Sequence, residues 1–319
     1  MKVYVSAIDR ESCKSDETGY VFLLNWEKGK ITIQNKITTQ DASLQEKFWN
    51  PRGGNRGARG IDFYKNKLYV ATATSVKVYN KNLKLEGEIT NPYFAGLHTL
   101  RVGEDGVLVA STAHDMLMKV GFDGKEKFIW RGSESCYLQN VLNFKGRPEI
   151  RETKDIDEQY LVANRLHLSG LAVCGDYTYV LSGKYGAVIK LNLGTPNTNL
   201  PEQLLINTGL QGSHDICITS DKTKMFMNNT IRQQLACFSL AGDPLYTIDT
   251  KVYQTERVSM FSTPGWQRGL ARLTDSIYIV GTSPLTIFTV DIERKKIVDK
   301  FQISDKLTLA SYGIVPVFG

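Results

Sequence analysis

Short alternating apolar runs, separated by polar turns, dominate the chain, and helical periodicity is scarce. Strands are predicted over Lys2–Ala7, Tyr20–Asn25 and Ile31–Ile37, the last two joined by the turn Lys28-Gly29-Lys30. After a polar connection over residues 38–57, one grammar repeats: a polar cluster, an apolar anchor, a short turn, then an apolar strand. Arg59-Gly60-Ile61-Asp62 leads to Leu68–Ala71, and His98-Thr99-Leu100-Arg101 to Val107–Ala110. His167–Val173 leads to Tyr177–Val180, His214–Ile218 to Lys224–Met227, and Gly265–Leu273 to Ile277–Val280. A partial copy, Ser311-Tyr312-Gly313-Ile314-Val315, closes the chain.

One β unit repeated every few tens of residues is the signature of a β-propeller. Hairpin turns such as Glu104-Asp105-Gly106 and Phe122-Asp123-Gly124 fit four short strands per unit. The expected fold is therefore all-β, a single β-propeller domain over residues 1–319 with six blades. The C-terminal segment Ser311–Val317 would supply the innermost strand of blade one, so that pairing of N- and C-terminal strands closes the ring. Five and seven blades are the alternative counts. The Gly-His and Trp-Asp marks of WD40 repeats are missing. Residues 131–164 break the rhythm and are read as an insertion between blades three and four: a loop, a short helix or an extra hairpin.

In a propeller the first strand of each blade lines the central channel. The anchors Ile61, Leu100, Leu171, Ile216, Leu270 and Ile314 align the six units. Side chains two residues apart share a face of a strand. Two places before the anchors stand Arg59, His98, Ser169, His214, Arg268 and Tyr312. A further step back stand Gly57, Gly96, His167, Gly212, Trp266 and Ala310. Three of the four histidines are thus expected near one mouth of the channel, with two arginines, Tyr312, Ser169 and Trp266.

Two chemistries fit this set. Three neutral imidazoles are a common cradle for a divalent transition metal, Zn, Mn, Fe or Cu, with a position open for water or substrate. His98, His167 and His214 are the candidate ligands. Arg59 and Arg268 offer charged planar forks suited to a carboxylate or phosphate. A histidine then serves as an acid or base without any metal, and Tyr312 joins the catalytic candidates. The two chemistries pull against each other, because nearby arginines oppose a bound cation unless an anion lies between them. Ser169 and Trp266 complete the substrate-binding candidates. Asp and Glu are nearly absent from the inferred ring, which argues against a calcium-dependent lactonase-type site.

Other constellations are weaker. His114-Asp115 is placed in the second strand of its blade as a structural pair. Ser213-His214-Asp215 is not read as a triad, because adjacent strand residues point to opposite faces. No phosphate-binding loop or dinucleotide fingerprint appears. The long connections 38–57, 131–164 and 250–266 are expected on the face of the site, where Phe48, Trp49, Arg52, Tyr137 and Tyr160 help to roof it.

Composition narrows the picture modestly. The chain has 319 residues, 42% hydrophobic and 23% charged, with a formal net charge of +6. Basic and acidic residues are interspersed, so a solvated surface is expected rather than a nucleic-acid footprint, despite Arg52–Gly57. No apolar run of about 18 residues suggests a membrane span, and the start lacks a signal-peptide core. The five cysteines lack CxxC spacing, which argues against a disulfide framework or a structural zinc site and for the cytoplasm.

The segments Arg165–Ala172 and Arg268–Ala271 give the chain a resemblance to a group of uncharacterised bacterial β-propeller proteins. Those carry similar His-Leu-Asn-Gly-Leu-Ala and Arg-Gly-Leu-Ala elements, and a Pro-His-Ser segment where Ser213-His214-Asp215 stands here. Ser169 replaces their Asn and Ser213 their Pro. The likeness covers the blades from residue 59 onward and implies a fold and a site, with no settled activity to transfer. The leading expectation is an enzyme for a small anionic molecule. The alternative is a non-catalytic scaffold that engages a protein partner through its loops. A third reading is a redox propeller holding an acidic quinone between the arginines.

Overall fold

Among the described residues, twenty-four strands pair into six antiparallel four-stranded sheets, the make-up of a six-bladed β-propeller and the all-β class expected. The computed structural model describes residues 1–10, 19–27, 30–38, 57–146, 165–193, 202–253 and 263–318. The expectations for Phe48, Trp49, Arg52 and Tyr160, and for residues 147–164 of the insertion, lie outside the described residues. The sheets belong to two compact units.

The first unit comprises residues 1–90 and 248–319. One of its sheets joins the two chain ends in the order β24 (Leu309–Val317), β1 (Lys2–Asp9), β2 (Gly19–Glu27), β3 (Lys30–Thr38). Val5 lies opposite Ile314 and Lys2 opposite Val317, so the predicted pairing of N- and C-terminal strands is present. The other sheets are β4 (Ile61–Tyr64) to β7 (Leu85–Thr90) and β20 (Leu270–Arg272) to β23 (Lys296–Gln302). Strand β1 is apolar on both faces for a physical reason. Its odd positions Val3, Val5 and Ala7 enter one core cluster with Ile279 and Ile287, while Tyr4 enters another with Ile61 and Val70.

The second unit comprises residues 91–247. Its sheets begin with β8 (Leu97–Gly103), β12 (Leu168–Cys174) and β16 (His214–Ile218). Here too, alternate residues serve neighbouring cores: Leu171 and Val180 pack in one cluster, Ala172, Tyr179 and Leu181 in the next. The described part of the insertion forms a 3-10 turn, Gly132–Glu134, and a short helix, Cys136–Val141. The helix is capped by the Ser135 hydroxyl, which accepts the Leu138 N–H at 3.1 Å.

A β-bulge recurs at the entry of these first strands. Leu97 pairs with Ser111 but Leu100 with Val109; Leu168 pairs with Ser182 but Gly170 with Leu181; His214 pairs with Asn228 but Ile216 with Met227. One extra residue each time bends the strand and re-aims the side chains around it. The same device appears in the first unit, where β24 shifts register between Val5 and Ala7 of its partner.

Hydroxyls tie successive sheets together at these bulges. Ser169 Oγ donates to the Ser213 carbonyl at 2.8 Å and Thr112 Oγ1 to the Leu168 carbonyl at 2.7 Å. Ser311 Oγ donates to the Arg268 carbonyl at 2.7 Å, and Ser6 Oγ to that of Arg59. Glycine permits the close approach: a Cβ on Gly170 would stand 3.0 Å from the Asp215 backbone. Among the described residues, no helix is long and apolar enough to cross a membrane.

Candidate functional site

The second unit gathers the three predicted histidines. One ring nitrogen from each of His98, His167 and His214 lies within 4.8 Å of the others. Ring centres stand 5.2 Å apart for His98 and His167, 5.3 Å for His98 and His214, and 6.1 Å for His167 and His214. Three nitrogens bound about 2.1 Å from one metal stand roughly 3.4 Å from each other in a tetrahedral shell, which is inside the 4.8 Å that bounds this group. His98 and His214 are buried, and His167 is partly exposed.

The bulges deliver each ring. His98 falls inside the bulge of β8, His214 opens β16 just before its bulge, and His167 immediately precedes β12. Two left-handed residues shape the entries, His167 at φ 55° and Asp215 at φ 55°. Asp215, expected on the face opposite His214, is the extra residue of its bulge. His214 Nδ1 lies 2.6 Å from the Gly212 carbonyl and 3.2 Å from Thr230 Oγ1. A carbonyl only accepts, so Nδ1 carries the proton and the lone pair sits on Nε2. This backbone-oriented tautomer is what a metal-binding imidazole uses.

Asp115 was read from sequence only as half of a structural pair, and its link to His167 was not foreseen. His114-Asp115, expected within a strand, forms instead the end of a 3-10 turn, Thr112–His114, with Asp115 left-handed at φ 53°. Turn geometry frees the carboxylate from the sheet. Fully buried, it accepts the backbone N–H of Arg165 at 2.6 Å, of Leu166 at 3.0 Å and of His167 at 3.1 Å. Three consecutive amides converging on one carboxylate fix the segment that carries His167. The partners lie at least 50 residues apart in sequence, and no local motif links them.

The first unit gathers the arginines. Arg59 precedes β4, Arg268 precedes β20, and Tyr312 lies in β24; all three are buried. The Arg268 guanidinium carbon sits 4.9 Å from the centre of the Tyr312 ring. Burial holds the Arg59 guanidinium below its usual range, and the charge of Arg268 lowers it further while Tyr312 opposes the shift. Trp266 receives the guanidinium of Arg10, 5.7 Å from its ring centre. Ser169, expected to touch substrate, is buried, and its hydroxyl donates to the Ser213 carbonyl at the joint between two sheets. Tyr137, expected in a roof, accepts the Leu204 N–H through its hydroxyl.

No protein-family model matches the chain, and no curated protein sequence matches it. Solved structures do. A chain of a nidogen/laminin complex superposes with a TM-score of 0.60 at 9% identity, covering 98% of this chain and 97% of that one. A Bacteroides uniformis protein described as a putative 6-phosphogluconolactonase superposes with a TM-score of 0.54 at 11% identity, covering 94% of this chain and 83% of its own. At these identities the likeness is one of fold.

Proposed function

We propose that this protein is a metal-dependent enzyme for a small anionic substrate, a carboxylate or a phosphate. His98, His167 and His214 hold one divalent transition metal, Zn, Mn, Fe or Cu. The observation that carries this reading is the convergence of three imidazole nitrogens within 4.8 Å, each on a bulged strand entry. Three neutral nitrogen ligands leave coordination positions for water and substrate, and a metal so held supplies Lewis-acid chemistry. The Gly212 carbonyl on His214 and the Asp115 clamp beside His167 support the same reading, since metal ligands are oriented by such partners. Taken by itself, the first unit offers Arg59 and Arg268 as groups for an anion, with Tyr312 holding Arg268 through its ring face. The Bacteroides uniformis protein is compatible with an enzyme, but at 11% identity it speaks for fold alone.

Elemental analysis of untagged protein, purified without chelator, tests the metal. Near-stoichiometric transition metal is expected in the wild type and its loss in His98→Ala, His167→Ala and His214→Ala. Absence of metal after supplying Zn²⁺, Mn²⁺ and Fe²⁺ overturns the centre. The arginines then become the lead, and the scaffold reading gains ground.

A further inference from the structure

We infer that the second unit carries a further binding site, for a small zwitterion with an apolar body, in a cavity at the far ends of the strands that present the histidines. The cavity measures about 490 Å³, a volume typical of small-molecule sites. His98, His167 and His214 stand at or just before the entries of β8, β12 and β16, and the exits of these strands supply Arg101, Ala172, Val173 and Ile218 to the cavity wall. Strand β16, His214–Ile218, is 5 residues long, so its two ends stand roughly 13 Å apart. The inference therefore goes beyond the proposed function and rests neither on the metal nor on the arginines of the first unit.

The charges of the wall divide into a settled pair and an open one. Asp105 and Lys119 both line the cavity and meet at 2.9 Å, with Lys127 a further 3.5 Å from the same carboxylate. Arg101 and Asp176 line it too, and among the described residues neither enters an ion pair. Among those residues the Arg101 guanidinium makes a single hydrogen bond, from Nη1 to the Leu100 carbonyl at 2.9 Å, which leaves donors to spare for a ligand. Leu108, Ala172, Val173 and Ile218 give the same wall its apolar share. A plain anion gains from Arg101 and is opposed by Asp176, and a plain cation meets the reverse. A molecule of both signs gains from both, and its apolar body covers the aliphatic wall. An amino acid with a large apolar side chain has this make-up: its carboxylate suits the planar fork of Arg101, and its ammonium suits the Asp176 carboxylate.

The test is isothermal titration calorimetry of the full chain, with EDTA present so that no amino acid is chelated by metal at the histidines. Phenylalanine is compared with 3-phenylpropionate, which lacks the ammonium, and with phenethylamine, which lacks the carboxylate. Phenylalanine is expected to bind at least about tenfold more tightly than either. Arg101→Gln is expected to weaken that binding, and Asp176→Asn to remove the advantage over 3-phenylpropionate. Val173 is 51% exposed, so Val173→Trp adds bulk at the wall without entering the core and is expected to obstruct the ligand. The exposed control Lys125→Gln is expected to bind as wild type. Asp176 and Val173 both lie at the surface, so their variants keep the test decisive even if circular dichroism shows Arg101→Gln to be unfolded. Equal binding of phenylalanine and either analogue overturns the inference. So does phenylalanine binding that none of the three wall variants changes, or no binding at millimolar concentration. Metal content is measured on separate protein purified without chelator, so failure here leaves the proposed function standing.

Discussion

The carboxylate of Asp115 accepts the backbone N–H of His167 at 3.1 Å and those of the two preceding residues. It thereby holds a left-handed histidine whose ring belongs to the three-histidine group. A non-glycine residue at φ 55° resists that conformation, so the segment needs an external restraint. Asp115 supplies it from another sheet. Replacing it with Asn keeps the volume but puts an amide donor where an acceptor stood.

Asp115→Asn is therefore expected to weaken metal binding by about 10–100-fold while leaving far-ultraviolet circular dichroism unchanged. Competition titration with a chromogenic chelator measures this, and Co²⁺ absorption reports whether the ligand geometry has changed. Metal affinity equal to wild type in a folded variant would show that His167 is positioned without the clamp.

Gly170 supplies a purely steric prediction. A Cβ there would meet the backbone N, Cα and C of Asp215 at 3.0–3.1 Å. Backbone yields less readily than a side chain, so Gly170→Ala is expected to cost about 1–3 kcal/mol by urea denaturation. The push falls on the bulge that starts at His214, so metal affinity is expected to fall with stability. A variant as stable as wild type would mean that the sheets can separate by a few tenths of an ångström.

Much of this architecture was legible in the chain, because each blade restates the same polar cluster, anchor and strand. The pairing of Val5 with Ile314 was legible in the partial repeat at Ser311–Val315, which copies the first strand of the other units. The histidine cluster was also legible, though by a rule that does not strictly hold. Same-face alternation assumes an unbroken strand, and each of these strands is bulged. The three rings nevertheless converge: each lies in or just before the bulge that opens its strand. Ser169 shows the limit of that rule, since its hydroxyl ends in a backbone joint. Asp115 and Arg10 were not legible because their contacts are made by folding, across distances no local pattern records.

Ser169 separates a joint from a ligand contact. Its hydroxyl donates to the buried Ser213 carbonyl, so Ser169→Ala leaves that acceptor one partner short. A loss of about 1–2 kcal/mol in unfolding free energy is expected. Were the hydroxyl reserved for substrate, the same variant would keep its stability and lose only ligand affinity. Thermal unfolding with and without bound anion tells the two apart.

Glu202 gives the pH dependence of the fold. Burial pushes its carboxyl above the usual carboxylate range, partly countered by hydrogen bonding from Ser135, the hydroxyl that caps the helix Cys136–Val141. The folded protein therefore holds this proton more tightly than the unfolded chain. Well below the unfolded value both states are protonated and the residue costs nothing. As pH rises through the unfolded value towards the folded one, the unfolded chain releases its proton first and stability falls. Above the folded value the penalty is complete, so at neutral pH Glu202 works against folding. Glu202→Gln is uncharged at every pH and is expected to gain about 1 kcal/mol or less at pH 7, since the site is only half buried. The gain should vanish near pH 3. Urea midpoints for both proteins between pH 3 and pH 8 measure it, and parallel curves would show that the charged carboxylate is already well solvated in the fold.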